Sequence, residues 1–370
     1  MPNTLQQLII ERIQREGPIT FADYMRMALY EPGYGYYVAG PTRVGWEGDY
    51  YTSINVSPFF AHCMGRQLLQ MWEQLGQPHP FIVIEQGAER EHLARGIRAW
   101  AAQEFPDFNA TLDYRTEDIH AGQDVTRSSS HPDKDAPSVI LSNELIDAFP
   151  VHIVELRDKR LYEIHVDVEQ ERLYVVLDEP SSVEVANYLD TYKIPWRTYG
   201  DGWRAEINLD ALPWMQQTAQ RLTNSSRTRK VQAFLLAIDY GDKARALYTP
   251  SRRLGTLACY FHHRLTEQPL LRPGEQDITA HVNFSALIDE GRRQGLRLHS
   301  FTTQQLWLKS MGIYEELERT RTREYAVIDS ARATDQGQTA LFQWRMLQQQ
   351  VTALTDPYGM GNFKVLIMKR

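Results

Sequence analysis

Apolar positions recur at helical spacing in the first part of the chain. Residues 1–17 place leucine and isoleucine side chains on one face of a predicted amphipathic helix. A second helix is predicted to begin at a cap formed by Thr20 or Asp23, and a third has a serine cap, a proline at its first position and apolar spacing across residues 57–75. We expect residues 1–79 to form a helical cap with an aromatic loop.

Continuous apolar runs bounded by turn residues come next. They lie at 80–87, 138–143 and 233–239, with a further strand predicted at 110–114. Unbroken runs of this length are typical of parallel strands covered on both faces. Helical stretches such as 90–104 separate them, so the pattern predicts an α/β fold built on a doubly wound, Rossmann-like parallel sheet.

A third pattern interrupts this sheet. Residues 151–177 alternate in short β-like runs, and helical spacing returns near 183–192 and 213–223. We interpret this part as an insertion in the sheet domain, which ends with a strand near the end of the sequence. The predicted division is a cap at 1–79, the first part of the sheet domain at 80–155, an inserted lobe at 156–230 and the remainder of the sheet domain at 231–370.

Composition and charge narrow the function classes. A net charge of −7 over 370 residues disfavours a surface built for nucleic acid, which usually carries a basic balance. Cys63 and Cys259 are the two cysteines, which fits a reducing compartment and excludes a disulfide framework. The sequence has no apolar run long enough for a membrane span, and its first residues do not resemble a signal peptide. These features predict a cytoplasmic protein.

Acidic side chains gather where the predicted strands end. In open α/β sheets, ligands bind beyond the carboxyl ends of the strands, which here are residues 85–91, Glu117, 143–147 and 239–241. Carboxylates suit a ligand with ribose hydroxyls and cationic groups better than one dominated by phosphates. Helix caps and turns would account for the same residues, so each segment alone leaves both interpretations open.

Histidines near the C-terminal third suggest a metal site at first. His262 and His263 are adjacent and would point to opposite faces of a strand, and His281 follows an aspartate-containing segment. This spacing does not match a helix-borne zinc pair. We therefore expect no metal site.

Several ordered segments carry a family resemblance over nearly the whole chain. They are residues 21–25, 29–37, 48–53, 56–60, 142–151, 239–241, 255–257, 276–282 and 363–366. Together they resemble the MidA family of class I methyltransferases, which is related to the mitochondrial complex I assembly methyltransferases. The resemblance implies a seven-stranded methyltransferase sheet with a reversed last strand, an N-terminal helical cap and an inserted lobe.

The resemblance also implies a chemistry. S-adenosylmethionine would be the cofactor, and a protein arginine, in a subunit of a respiratory complex, would be the substrate. A carboxylate would orient the guanidinium and accept its proton. The candidate residues are Glu85, Gly87, Glu117 and Asn143 for the cofactor, Glu144, Asp147 and Asp239 for catalysis, and Tyr24, Tyr36 and His281 for the substrate. We also expect Tyr24, Tyr30 and Tyr36 to pack over the strand ends as a cap.

The cofactor loop departs from the family pattern. Residues 85–91 align with Glu-Leu-Gly-x-Gly-x-Gly, but only Gly87 remains and Glu89 and Glu91 replace two glycines. Each glutamate adds bulk and charge near the carboxylate of the cofactor, so we expect weak binding or none. Asn283 replaces the usual aspartate. Two functions stay open: a protein methyltransferase, or a methyltransferase-like assembly protein whose catalysis is weakened or lost.

Overall fold

The computed structural model describes residues 3–39, 53–88, 91–118, 126–127, 138–223, 232–261 and 264–370. Glu89 and the pair His262 and His263 lie outside this part. The strands are β1 Ile19–Thr20, β2 Phe81–Gln86, β3 Leu112–Asp118, β4 Thr126–Arg127, β5 Val139–Asn143, β6 His152–Arg157, β7 Arg160–Glu169, β8 Arg172–Asp178, β9 Arg204–Ile207, β10 Phe234–Asp239, β11 Gly241–Asp242, β12 Ala258–Phe261, β13 Arg264–Thr266, β14 Asp277–Thr279, β15 Val282–Asn283, β16 Arg297–Thr303 and β17 Lys364–Lys369.

Helices separate most of these strands. They are α1 Thr4–Glu16, α2 Phe21–Tyr30, α3 Ser53–Val56, α4 Pro58–Gln74, α5 His92–Glu104, α6 Pro106–Thr111, α7 Val183–Thr191, α8 Ala211–Thr223, α9 Ala244–Leu247, α10 Phe284–Arg293, α11 Gln304–Ser310, α12 Ile313–Glu324, α13 Val327–Ser330 and α14 Asp335–Thr355. Short 3₁₀ helices lie at Ile146–Ala148, Trp196–Thr198 and Met360–Asn362. No helix in the described ranges is both long and apolar enough to cross a membrane.

The main sheet has seven strands in the order β16-β17-β10-β5-β2-β3-β4. The pairs β10-β5, β5-β2 and β2-β3 are parallel. Strand β17 runs antiparallel to both of its neighbours. The prediction of adjacent parallel strands at 80–87, 138–143 and 233–239 is therefore confirmed, as is the reversed last strand.

Helices cover both faces of this sheet because its central strands are apolar on both sides. One core combines Phe81 and Val83 of β2 with helices α4, α5 and α11 to α14. The other combines Ile82 and Ile84 of the same strand with α8 and α10. The alternation of β2 thus fixes which side chains meet which layer, and the predicted doubly wound architecture is confirmed.

A second sheet is mostly built from the residues between β5 and β10. Its order is β1-β7-β6-β9, with β8 paired to β7, and all its pairings are antiparallel. Strand β1 brings residues 19–20 from the N-terminal segment into this sheet. Helices α1 and α2 pack there too, in a core that includes Ile9, Phe21 and Val166.

Local sequence explains where several helices begin. Thr20 accepts a hydrogen bond from the backbone N–H of Asp23 at the start of α2, and Ser57 caps α4 ahead of Pro58. The strand predicted at 110–114 is shifted, because Ala110 still belongs to α6 and β3 begins at Leu112. Pro106 at the start of α6 supplies the helix signal that the apolar run obscured.

Candidate functional site

Three carboxyl groups meet at the ends of β5 and β10. Glu144 directly follows β5, Asp147 lies in the 3₁₀ helix Ile146–Ala148, and Asp239 is the last residue of β10. The strands are in register, with Asn143 opposite Ile238, and the backbone N–H of Glu144 donates to the carbonyl of Ile238 at 2.9 Å. The structure thus brings the three residues that were predicted to be catalytic together at the carboxyl ends of these two strands.

Asp239 holds the turn that follows β5. Its Oδ2 accepts hydrogen bonds from the backbone N–H groups of Ile146 at 2.9 Å and Asp147 at 3.3 Å. Its Oδ1 accepts from the N–H of Tyr240 at 2.9 Å. Asp239 therefore caps the turn after β5 and holds the backbone of Asp147 in place.

Glu144 joins the site to the N-terminal segment. Its Oε1 accepts from the backbone N–H of Ser53 at 2.8 Å and from Nδ2 of Asn143 at 3.1 Å. Its backbone has φ +51°, in the left-handed region that costs a non-glycine residue about 1 kcal/mol or more. Strain of this kind is concentrated at functional sites, and the hydrogen bond from Ser53 places the carboxyl group beside α3.

Burial changes the proton affinity of all three acids. The residue Glu144 keeps some exposed surface while its carboxyl group is enclosed, and this enclosure raises its pKa to about 7. Burial raises the pKa of Asp147 to about 6, offset in part by a hydrogen bond from Tyr240. Burial, followed by the nearby charge of Asp147, raises the pKa of Asp239 well above its usual range. Near neutral pH this group of three carboxyl groups can therefore take up a proton.

Two buried acceptor atoms point to a ligand that donates hydrogen bonds. Oδ1 of Asn143 and Oδ1 of Asp147 have no hydrogen-bond partner within the described part of the chain. Such atoms are costly to bury without a partner. S-adenosylmethionine carries an ammonium and ribose hydroxyls, which donate hydrogen bonds, so an acceptor such as Oδ1 of Asn143 fits the cofactor that the sequence implies.

The cofactor loop begins at the end of β2. Gly87 has φ +73°, and a Cβ there would lie 2.9 Å from Cδ1 of Leu145, so both the backbone and the space favour glycine at this position. The N–H groups of Gly87 and Ala88 donate to the carbonyl of Glu117 at 2.8 and 3.3 Å. The side chain of Glu85 lies on the face of β2 that is covered by α4 and α5. There it accepts a hydrogen bond from the hydroxyl of Tyr114 at 2.9 Å.

Glu91, one of the two glutamates that replace glycine, is described by the structure. It is exposed, its φ is +56°, and its Oε1 accepts a hydrogen bond from Oγ1 of Thr116 at 3.3 Å. The carboxylate therefore lies against the end of β3. The left-handed backbone is the conformation for which glycine is the usual residue.

Glu117, the predicted ribose acid, lies buried at the end of β3. Arg221 of α8 donates to both of its carboxylate oxygens, each at 2.7 Å. Nε2 of Gln86 donates to Oε2 of Glu117 at 3.4 Å. The sequence did not reveal this pair, because 104 residues separate its members.

The predicted tyrosine cap is only partly at this site. Tyr24 is fully buried and its hydroxyl donates to the carbonyl of Pro269 at 2.6 Å, so the structure places it in the core around the second sheet. Tyr36 is also buried there and packs edge-on against Tyr37. Tyr30 reaches the site instead, donating to the carbonyl of Ala148 at 3.0 Å.

His281 lies beside β15 close to Tyr240, with ring centres 6.1 Å apart. Its backbone N–H donates to Oγ1 of Thr256 at 3.0 Å. Burial, together with the positive charges of Arg252 and Lys364, lowers the pKa of His281 to about 4. The imidazole is therefore neutral near pH 7. Tyr240 was not predicted to be a site residue, yet it binds Asp239 through its backbone N–H and lies beside His281.

Curated relatives cover most of the chain. The fruit fly protein named "Protein arginine methyltransferase NDUFAF7 homolog, mitochondrial" is 26% identical over 99% of this chain and 84% of its own length. The mouse "Protein arginine methyltransferase NDUFAF7, mitochondrial" is 27% identical over 82% of this chain and 73% of its own. The human protein of that name is 26% identical over 82% and 72%.

A solved structure has the same fold. A crystal structure from Burkholderia thailandensis, bound to S-adenosyl-homocysteine, has a TM-score of 0.78 and 24% identity, covering 99% of this chain and 92% of that chain. The Rossmann-like methyltransferase fold expected from the sequence is thereby confirmed.

The expectation of a cytoplasmic protein is wrong by the same comparisons. The fruit fly, mouse and human relatives are all named mitochondrial. Two cysteines and a net charge of −7 exclude an oxidising compartment at most and do not single out the cytoplasm, which is why composition misled the prediction.

The family described as "Putative S-adenosyl-L-methionine-dependent methyltransferase" matches residues 63–302. This match spans the strands β2, β3, β5 and β10, whose ends carry the candidate site. S-adenosylmethionine is the cofactor that membership assigns. The chain belongs to this family of S-adenosylmethionine-dependent methyltransferases.

Proposed function

We propose that this protein methylates an arginine side chain of a protein substrate, in a subunit of a respiratory complex. The observation that carries the proposal is the group of enclosed carboxyl groups formed by Glu144, Asp147 and Asp239 at the end of β5 and β10. A guanidinium is a planar cation whose N–H groups match carboxylate oxygens. The names of the curated relatives support arginine as the substrate.

Each acid has a separate task in this proposal. Asp147 binds the guanidinium through Oδ1, the buried atom without a partner among the described residues. Asp239 holds the backbone of Asp147 in place through its two hydrogen bonds. Glu144 lies on the side of Ser53 and fixes the N-terminal segment over the site. Positioning of this kind supplies much of the acceleration in group transfer.

The proton balance favours a carboxylate as the base. The bound cofactor supplies a methyl group on a sulfonium, and the arginine nitrogen that receives it loses one proton. A base is most effective when its pKa lies near the working pH. The raised pKa values of Asp147, about 6, and Glu144, about 7, meet that condition, whereas an ordinary exposed aspartate does not.

The residues proposed to hold the cofactor lie along the neighbouring strand ends. Glu117 would accept the ribose hydroxyls, Asn143 would accept from the ammonium through Oδ1, and Gly87 would let the backbone approach closely. Glu85 would act indirectly, since its carboxylate binds Tyr114 on the other face of β2. His281, a neutral ring, would contact the bound substrate from the side of β15.

Transfer of a labelled methyl group tests the proposal. The purified chain is incubated with methyl-labelled S-adenosylmethionine and isolated respiratory complex I, and the hydrolysed product is analysed for methylarginine. We expect labelled methylarginine with the native chain and at least a hundredfold less with Asp147→Asn. Glu179→Gln, an exposed acid 63% accessible, is the matched control and should keep full activity.

The second candidate is a methyltransferase-like assembly protein. The replacement of loop glycines by Glu91 and the pairing of Glu117 with Arg221 favour it, because both affect cofactor positions. Binding of S-adenosyl-homocysteine without any methyl transfer, while the chain still associates with the respiratory subunit, would support this candidate and contradict the enzyme.

A further inference from the structure

One face of α8 contacts the ends of β2 and β3. Nε1 of Trp214 donates to Oε1 of Gln86 at 3.0 Å, and Oγ1 of Thr218 approaches the same oxygen at 3.5 Å. Arg221 follows at the next turn. Positions four and three residues apart share a helix face, so these three side chains contact the strand ends as a unit.

Arg221 binds the carboxylate of Glu117 from one side. Nη1 of Arg221 lies 2.7 Å from Oε2 and Nη2 lies 2.7 Å from Oε1. The pair is well enclosed, with 24% of the Arg221 side chain and 8% of the Glu117 side chain exposed. A two-pronged pair of this kind uses one lone pair on each carboxylate oxygen and fixes the plane of both groups.

A ribose diol needs the same acceptors. Its two neighbouring hydroxyls donate in parallel to the two oxygens of one carboxylate, as nucleotide-binding α/β folds use an acid at this position. Two parallel donors cannot approach the same side of a carboxylate that already receives two parallel N–H groups. A diol that needs this side of Glu117 and the guanidinium of Arg221 therefore exclude each other, while the second lone pair of each oxygen remains.

We propose that Arg221 competes with the cofactor's ribose for Glu117. Cofactor binding then requires Arg221 to withdraw, which loosens the contact between α8 and the end of β3. This inference rests on the proposed function only in taking Glu117 as the acid that holds the cofactor. It makes α8 responsible for part of the cofactor affinity of this chain.

Calorimetry with S-adenosyl-homocysteine tests the competition without any catalysis. The native chain, Arg221→Gln, Glu117→Gln and the double variant are compared. We expect Arg221→Gln to bind at least tenfold more tightly than the native chain and Glu117→Gln to bind at least tenfold more weakly. In the double variant, loss of Arg221 should bring no gain, because its effect passes through Glu117.

A matched control separates competition from general loss of an ion pair. Arg197, in the 3₁₀ helix Trp196–Thr198, forms the same two-pronged geometry with Asp190 of α7, at 2.8 and 2.9 Å. Arg197→Gln should leave the affinity unchanged. Arg221→Lys keeps the positive charge without the fork and should bind with intermediate affinity. It also serves if Arg221→Gln unfolds, which thermal denaturation reveals.

The outcomes distinguish the two proposals. Equal or weaker binding by folded Arg221→Gln and Arg221→Lys, with measurable binding by the native chain, overturns the competition and leaves the proposed function intact. No binding by any variant overturns both. Tighter binding by the Arg221 variants without any methyl transfer supports the competition and contradicts the enzyme.

Discussion

The hydroxyl of Tyr37 donates to Oδ1 of Asp277 at a distance of 2.7 Å. This bond ties the aromatic loop after α2 to β14, whose neighbour Ala280 donates its N–H to the carbonyl of Asp147 at 2.9 Å. Tyr30 stacks on Tyr37, with ring centres 5.6 Å apart. Aromatic side chains thus reach the candidate site through Tyr30, one of the three tyrosines predicted to form the cap, and through Tyr37, which was not among them.

Removal of the Tyr37 hydroxyl should destabilise the protein. Tyr37→Phe takes one hydrogen bond from the buried Asp277, and we expect a loss of about 1–3 kcal/mol in the free energy of unfolding. Urea denaturation measures it. Tyr34→Phe, at a residue that is 44% exposed, is the control and should change stability by less than about 0.5 kcal/mol. Equal effects of the two changes would contradict the assigned role of this bond.

Gly87→Ala should destabilise the loop that follows β2. The new Cβ would lie 2.9 Å from Cδ1 of Leu145, and φ +73° disfavours any side chain. We expect a cost of about 1–3 kcal/mol, measured by thermal denaturation. Gly200→Ala is the matched control because nothing lies within 4 Å of its Cβ position and its φ is not positive. A loss as large at Gly200 would show that steric crowding at Leu145 is not the cause.

Glu91→Gly should relieve strain at the start of α5. A left-handed residue costs about 1–2 kcal/mol, and the greater freedom of glycine in the unfolded chain offsets part of this. We expect a net gain of up to about 1 kcal/mol in the free energy of unfolding. The prediction that the altered loop weakens cofactor binding requires tighter binding of S-adenosyl-homocysteine by this variant. An affinity that does not change would count against the loop as the source of weakness.

Glu144 should give stability and activity opposite dependences on pH. Its pKa is about 7 in the folded chain and near 4.5 when unfolded, so the folded state holds the proton more tightly. Its contribution to stability is full below pH 4.5 and is lost as the pH rises through 7.

Methyl transfer that needs an ionised carboxylate should increase over the upper part of that range. In Glu144→Gln the stability difference between pH 5 and pH 8 should shrink, as measured by urea denaturation at both values. The activity profile should then follow the lower pKa of Asp147, about 6. A stability difference identical to that of the native chain would show that Glu144 does not titrate in this range.

The sequence predicted the sheet because its signal is local. β2, β5 and β10 are unbroken apolar runs bounded by turn residues, and their alternation assigns side chains to the two helix layers. The acids Glu144, Asp147 and Asp239 could be predicted as a group, since parallel strands of one sheet end at the same edge.

The remaining contacts depend on tertiary distances that no local pattern encodes. Arg221 is one cation on an amphipathic helix, and its pairing with Glu117 follows from how α8 lies across the sheet. Tyr24 and Tyr30 occur in the same helix, but the direction of that helix buries Tyr24 and leaves Tyr30 near Ala148. Burial of an aromatic side chain and its availability to a ligand look alike in a sequence.

The position of β17 has a consequence for how the protein is made. It follows the other strands of the main sheet in the sequence, yet it lies between β10 and β16. During synthesis on the ribosome, β10 and β16 therefore remain unpaired on the sides that β17 will fill until residues 364–369 have emerged. Exposed edges of this kind recruit other strands. A nascent chain that stops before Lys364 would leave the edge of β10 and the strand β16 without their partner, and both could then pair with strands of other chains.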